Sequence, residues 1–329
     1  MKNNQDLKED KVNSEIEPGK KPRIAFLVVY VFDENTRPLF DIHLEKLRCH
    51  TSVEFRIFAA AHKLTPEHQN YVLANPEIEL VDCEVPSGYH VRLEHSHCLN
   101  TLAKYAMSKN FTHCMSLHLD SFPVKDRWLE ILVERLNCGA KLAVVVPNGY
   151  SAGLLFTRQY FEKYKPNMLI SDGERETETF KKFIKTFPHF DHVETGLGYI
   201  YRAWCEGLPW LQIETDENRK IYGGLLFHMV GATFRTWVDV TPLRKERIYV
   251  VTWQLISPLV RRLPMRSRHT VRNLFVDHHK ISRDGSVLTK KEEIATLISD
   301  PDFYLASHLA NFRGPLLAEI HKSRPPYSS

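Results

Sequence analysis

FTHCMSLHLDSFPV, Phe111–Val124, is the stretch on which the fold turns. A short apolar run ends at His118, Leu119 and Asp120, and Pro123 closes it. Side chains two apart on a strand share a face, so His118 and Asp120 point together beyond the strand's carboxyl end. Open α/β sheets keep their ligands at that edge. The plainer alternative is a turn-forming aspartate whose carboxylate caps nearby backbone N–H groups. The flanking residues decide between the two.

Upstream, IAFLVVYVF (Ile24–Phe32) is a continuous β-branched and aromatic run, the pattern of a strand buried on both faces of a parallel sheet. Asp33, Glu34, Asn35 and Pro38 break it and open a helix whose inward stripe is Leu39, Ile42, Leu44 and Leu47. Val53–Ala60 reads as a second strand, Pro66–Leu73 as a helix, and Ile78–Val81 as a third strand. A helical pattern through Leu93, Leu99, Leu102 and Ala106 then leads into the strand ending at Asp120. Downstream, Pro123 is expected to begin a helix striped with Trp128, Leu129, Leu132, Val133 and Leu136, and Lys141–Val146 is a further buried strand.

Strands and helices alternate through the first 150 residues, which predicts an α/β fold: a doubly wound, mostly parallel sheet with helices on both faces. Beyond it, Tyr150–Phe161 reads as a loop and a short helix over the sheet edge, Glu174–Phe187 as one charged helix, and Ile221–His228 as an apolar strand. The region from 239 to 329 is expected to be a basic, mainly helical C-terminal extension.

Composition narrows the function classes. The chain has 329 residues, 43% of them hydrophobic, enough for a packed core. A formal charge of +4 is mild for this size and gives no case for a nucleic-acid partner. The six cysteines contain no C-x-x-C pair, so neither a zinc cluster nor a disulfide framework is signalled, and a reducing, cytoplasmic setting is expected. Residues 1–21 are polar without an apolar run, and are expected to form a disordered lead rather than a secretory signal. No stretch approaches the roughly 18–20 apolar residues of a spanning helix.

Neither G-x-G-x-x-G after the first strand nor a Walker A sequence is present. A nucleotide diphosphate bound by this sheet would therefore need carboxylates and a cation. An aspartate at a strand end meets that need by holding Mg²⁺ or Mn²⁺ against phosphate oxygens.

Taken together, the first strand with Asp33 and Asn35, the Arg92–Asn100 helix, and His118-Leu-Asp120-Ser-Phe-Pro-Val124 followed by Trp128 resemble the nucleotide-binding half of a GT-A glycosyltransferase, close to family 2. The resemblance spans about residues 22–235. It implies a domain over 22–238, with a nucleotide-binding half to 150 and an acceptor half after it. It also implies an inverting hexosyl transfer, as in polysaccharide biosynthesis, from a nucleotide-diphosphate sugar to a glycan or lipid-linked saccharide. The implied donor-binding residues are Asp33, Asn35, Arg92, Asn100, His118 and Asp120.

In that family the strand ends in Asp-x-Asp; here His118 stands at the first acid and Asp120 at the second. Imidazole suits Mn²⁺ better than Mg²⁺. His228, after Gly223 and Gly224, matches the late segment that returns a histidine to the metal, so the implied metal ligands are Asp120, His118 and His228. A buried structural histidine is the alternative there. Glu194, with Asp191 in reserve, matches the family's catalytic base before Thr195-Gly196; helix capping is the other explanation for an acid so placed. His95 and His97 sit two apart on a helix and cannot share a face.

Two other functions stay open at this stage. One is a noncatalytic sugar-nucleotide or glycan binder on the same scaffold. The other is a membrane-surface module, because Arg244–Arg272 holds eight Lys or Arg residues against the single acid Glu246, a composition suited to peripheral contact with an anionic membrane face.

Overall fold

Strand β1 (Arg23–Val29) is buried on both faces, as its unbroken apolar sequence requires. Ile24, Phe26 and Val28 enter one hydrophobic layer while Ala25 and Leu27 enter the other, the period of two expected for a central strand. The computed structural model describes residues 21–89, 92–147, 150–190, 194–213, 220–229, 259, 287–313 and 320–321. The expected disordered lead, Asp191 and nearly all of the basic Arg244–Arg272 stretch lie outside them.

The α/β class holds. Around β1 lie β2 (Glu54–Ala60), β3 (Ile78–Leu80) and β4 (His113–Leu117), all parallel. The sheet continues through β7 (Gly153–Thr157) to β6 (Leu142–Val144), β8 (Trp210–Gln212) and β11 (Ile320–His321), in the order β11-β8-β6-β7-β4-β1-β2-β3. Only β7 and β11 oppose the common direction.

Helices cover both faces. On one side lie α1 (Arg37–His50) and α4 (Trp128–Asn137), joined by α9 (Val287–Ser299) and α10 (Pro301–Ala310). On the other lie α3 (Arg92–Ser108), α5 (Arg158–Tyr164), α7 (Glu178–Thr186) and α8 (Leu197–Cys205). The short α2 (Pro66–Leu73), capped by the Thr65 hydroxyl, connects β2 to β3. Thus α9 and α10 pack on the main core: Tyr304 and His308 meet Phe227 edge-on or tilted, and Lys46 on α1 pairs with Asp302 at 2.5 Å.

Several local expectations are corrected. The strand read as ending at Asp120 stops at Leu117, so His118 and Asp120 lie in the turn beyond β4 and not on a shared strand face. Residues 153–157, read as part of a loop and helix, form the antiparallel β7 between β4 and β6; a five-residue apolar run does not disclose its state by periodicity. Pro123 does not open a helix but ends β5 (Ser121–Pro123), and α4 starts five residues later at Trp128. The charged segment 174–187 is two helices, because Thr177 caps α7 with its hydroxyl on Phe180 N and separates it from α6 (Asp172–Arg175).

A second, three-stranded sheet decides the geometry of the site. The run Ile221–His228 is a hairpin of β9 (Ile221–Tyr222) and β10 (Leu226–His228), turned by Gly223 and Gly224 at φ +60° and +67°. Those left-handed angles suit glycine and little else. β10 pairs antiparallel with β5, placing His228 opposite Ser121 and Phe227 opposite Phe122. No helix among the described residues is long and apolar enough to cross a membrane.

Candidate functional site

Past the end of β4 the chain turns on a Ser121 N–H bond to the His118 carbonyl (3.0 Å) and enters β5. The pairing of β5 with β10 then brings His228 back to the same point, and Met229 N donates to the Asp120 carbonyl at 2.9 Å. Ligand-capable atoms of His118, Asp120 and His228 all lie within 4.8 Å of one another. Asp120 Oδ1 stands 3.4 Å from His228 Nε2 and 3.9 Å from His118 Nδ1. Two ligands of one ion at about 2.1 Å can be at most about 4.2 Å apart, so both separations suit shared coordination.

Burial sharpens the cluster. The side chain of Asp120 is 1% exposed and that of His228 4%, whereas His118 keeps 26% and forms the open side. Neither ring nitrogen of His228 has a hydrogen-bond partner among the described residues. An imidazole buried in that condition is costly unless something else meets it. A divalent cation fits this donor set, since it would accept a nitrogen of His228 and offset the buried carboxylate.

His118 is tied on its far edge, with Nε2 3.0 Å from Ser151 Oγ. Withdrawal from water, then the neighbouring His95 and His228 imidazoles, push His118 down to about 3, against the pull of Asp120. The ring is therefore neutral near pH 7, the form that coordinates metals. His95 is likewise lowered to about 4 by desolvation. Its ring meets His118 edge-on at 5.2 Å, and His118 meets His228 at 5.5 Å, so three imidazoles form a row from α3 to β10.

Beneath the cluster, His43 on α1 is fully buried, and its Nδ1–H donates to the Ser121 carbonyl at 2.9 Å. Burial lowers it to about 4, so it is a neutral strut under the 118–121 turn.

The Glu194 segment reaches this neighbourhood by two routes. Thr195 Oγ1 hydrogen-bonds Ser96 Oγ on α3 at 2.9 Å, next to His95. Gly196, at φ +99°, packs so closely on Tyr150 and Ser151 that an added Cβ would lie 2.8 Å from Tyr150 Cβ. Glu194 itself is half-buried at the entry to α8.

The other candidates have structural partners. Asp33 Oδ1 accepts from Asn35 N, Thr36 N and Thr36 Oγ1, capping the turn into α1, while Asn35 is exposed. Asn100 donates to Asn167 Oδ1 and accepts from Met168 N, which pins the loop before α6. Arg92 is exposed at the start of α3. Ser151 and His43 are neighbours that sequence reasoning passed over, and His95 is one that it set aside with His97. His43 left a trace of its own, as a lone histidine within the apolar stripe of α1.

No protein-family model matches the chain, and no characterised protein matches it in sequence. Among solved structures, it is similar to a mannosyltransferase from Pyrobaculum calidifontis in complex with GDP-mannose and Mn²⁺, at 13% identity and a TM-score of 0.40, over 89% of this chain and 80% of that one. It is also similar to a putative nucleotide-diphospho-sugar transferase from Desulfovibrio desulfuricans G20, at 10% identity and a TM-score of 0.38, over 79% of this chain and 99% of that one.

Proposed function

We propose that the protein is a glycosyltransferase, moving a sugar from a nucleotide-diphosphate sugar to a hydroxyl of a glycan or lipid-linked saccharide with inversion at the anomeric carbon. The observation that supports this most is the His118–Asp120–His228 cluster at the carboxyl edge of the sheet, where a phosphate-bearing ligand of an open α/β fold sits. Asp120, His118 and His228 would hold a divalent cation, Mn²⁺ or Mg²⁺. Bound there, the cation supplies positive charge to the departing diphosphate.

The remaining chemistry falls to the chain. Glu194, or Asp191 outside the described residues, takes the proton from the acceptor hydroxyl as its oxygen bonds to the anomeric carbon and the carbon–phosphate-oxygen bond breaks. Thr195 and Gly196 fix that segment against α3 and the 150–152 turn, and His43 holds the 118–121 turn under the diphosphate.

A thermal-shift screen of nucleotide diphosphates and their sugars, with and without Mn²⁺, tests the donor role. A ligand at 100 times its Kd stabilises by about 2.7 kcal/mol, which for a chain of this length is a rise in Tm of roughly 4 °C. Glu194→Gln should keep that shift and lose transfer. No shift with any nucleotide, metal present or absent, refutes the proposal. A shift without turnover of any acceptor would instead favour a noncatalytic binder, which a histidine in place of the first acid at 118 makes the natural second reading.

A further inference from the structure

The two histidines of the cluster point to a particular kind of ion. We propose that it is a site for a first-row transition-metal dication, Co²⁺ or Zn²⁺ ahead of Mn²⁺, that it discriminates against Mg²⁺ and Ca²⁺, and that Ser151 is the positioning residue that sets the coordinating face of His118. This rests on the divalent-cation role proposed above and adds the ion's identity and a residue that controls it.

The chain offers two imidazole nitrogens and one carboxylate. Mg²⁺ and Ca²⁺ are hard ions held by oxygen, and Mg²⁺ leans on carboxylates because it gives up water reluctantly. Imidazole favours the later first-row metals instead, and within that series Mn²⁺ binds least tightly. The ligand set carries one negative charge where an Asp-x-Asp pair would carry two, so the purely electrostatic attraction that serves Mg²⁺ is halved. The part of the binding that nitrogen donors supply is retained. Because His228 is buried with neither ring nitrogen hydrogen-bonded among the described residues, its contribution requires no partner to be displaced first.

Ser151 enters through His118. With Nδ1 facing Asp120 and Nε2 against Ser151 Oγ, the productive arrangement carries its proton on Nε2 and donates it to the hydroxyl, leaving the Nδ1 lone pair free for the ion. The hydroxyl is held for that purpose: Ser151 is buried, Ser121 Oγ donates to the adjacent Ala152 carbonyl at 3.1 Å, and Gly196 closes on the Ser151 backbone. Partners of this kind behind a metal-bound histidine are worth about 10- to 100-fold in affinity.

The test is direct metal binding to the purified full chain without nucleotide, by calorimetry and by loss of the free Mn²⁺ electron paramagnetic resonance signal. Co²⁺ and Zn²⁺ should bind more tightly than Mn²⁺, and Mg²⁺ and Ca²⁺ more weakly than any of the three. His118→Asp should reverse the order by tightening Mg²⁺ and weakening Zn²⁺. Ser151→Ala should weaken Mn²⁺ about tenfold and Ser151→Thr should restore it, with unchanged circular dichroism. Mg²⁺ binding as tightly as Mn²⁺ in the unmodified protein overturns the selectivity, and Ser151→Ala binding Mn²⁺ normally overturns the positioning role. Either result leaves the glycosyltransferase proposal standing. Absence of any metal binding defeats the inference, and the nucleotide screen without Mn²⁺ then judges the donor role separately.

Discussion

Replacing His113 by glutamine should flatten the acid side of the stability profile. His113 lies in β4, where the sheet leaves its side chain almost no contact with water. Burial alone lowers it from 6.5 to about 4. A histidine with a depressed native pKa favours folding fully above its unfolded pKa, and that contribution is lost as pH falls from about 6.5 toward 4. At pH 5.5 the unfolded chain has bound most of one proton at this site and the native state almost none. The difference costs about 1.4 kcal/mol, against roughly 0.2 kcal/mol at pH 7.0. One histidine therefore accounts for about 1.2 kcal/mol of the loss, a sizeable part of a typical total of roughly 5–15 kcal/mol. Urea unfolding at pH 7.0 and 5.5 measures it. His113→Gln should lose about 1.2 kcal/mol less than the unmodified protein over that interval, whatever its stability at pH 7.0. Equal losses, with equal slopes in urea, would refute the assignment.

Other consequences can be checked on the same samples. Trp128 is fully buried, stacks on Phe26 at 6.2 Å and donates its indole N–H to Thr51 Oγ1 at 3.0 Å, so Trp128→Ala should cost about 3–5 kcal/mol in urea unfolding. Gly196→Ala puts a Cβ into a left-handed residue against Tyr150 and Ser151; it should cost at least about 1–2 kcal/mol and also weaken Mn²⁺ binding, since Ser151 must shift, and unchanged metal affinity would show that the 150–152 turn is not rigidly coupled to the site.

Much of the layered architecture was legible along the chain because buried parallel strands are apolar without interruption: β1, β2 and β4 stand close to where their runs placed them. The misplaced strands share one cause. β5 and β7 are three and five residues long, too short to show a period, and each is a strand only because a partner lies beside it. Pro123 ends a strand rather than beginning a helix for the same reason, since β10 pairs with it.

His118 and Asp120 are near neighbours in sequence, and the turn that follows β4, not a shared strand face, keeps them together at one edge of the sheet. His228 lies more than a hundred residues away. Only the antiparallel pairing of β10 with β5 sets it opposite Ser121, and only the packing of α3, α8 and the 150–152 turn surrounds the cluster with His95, Ser151 and the Glu194 segment. Chain order encodes periodicity and residue type. Which distant side chains share a few ångströms depends on strand pairing and helix packing, and those are properties of the whole folded core.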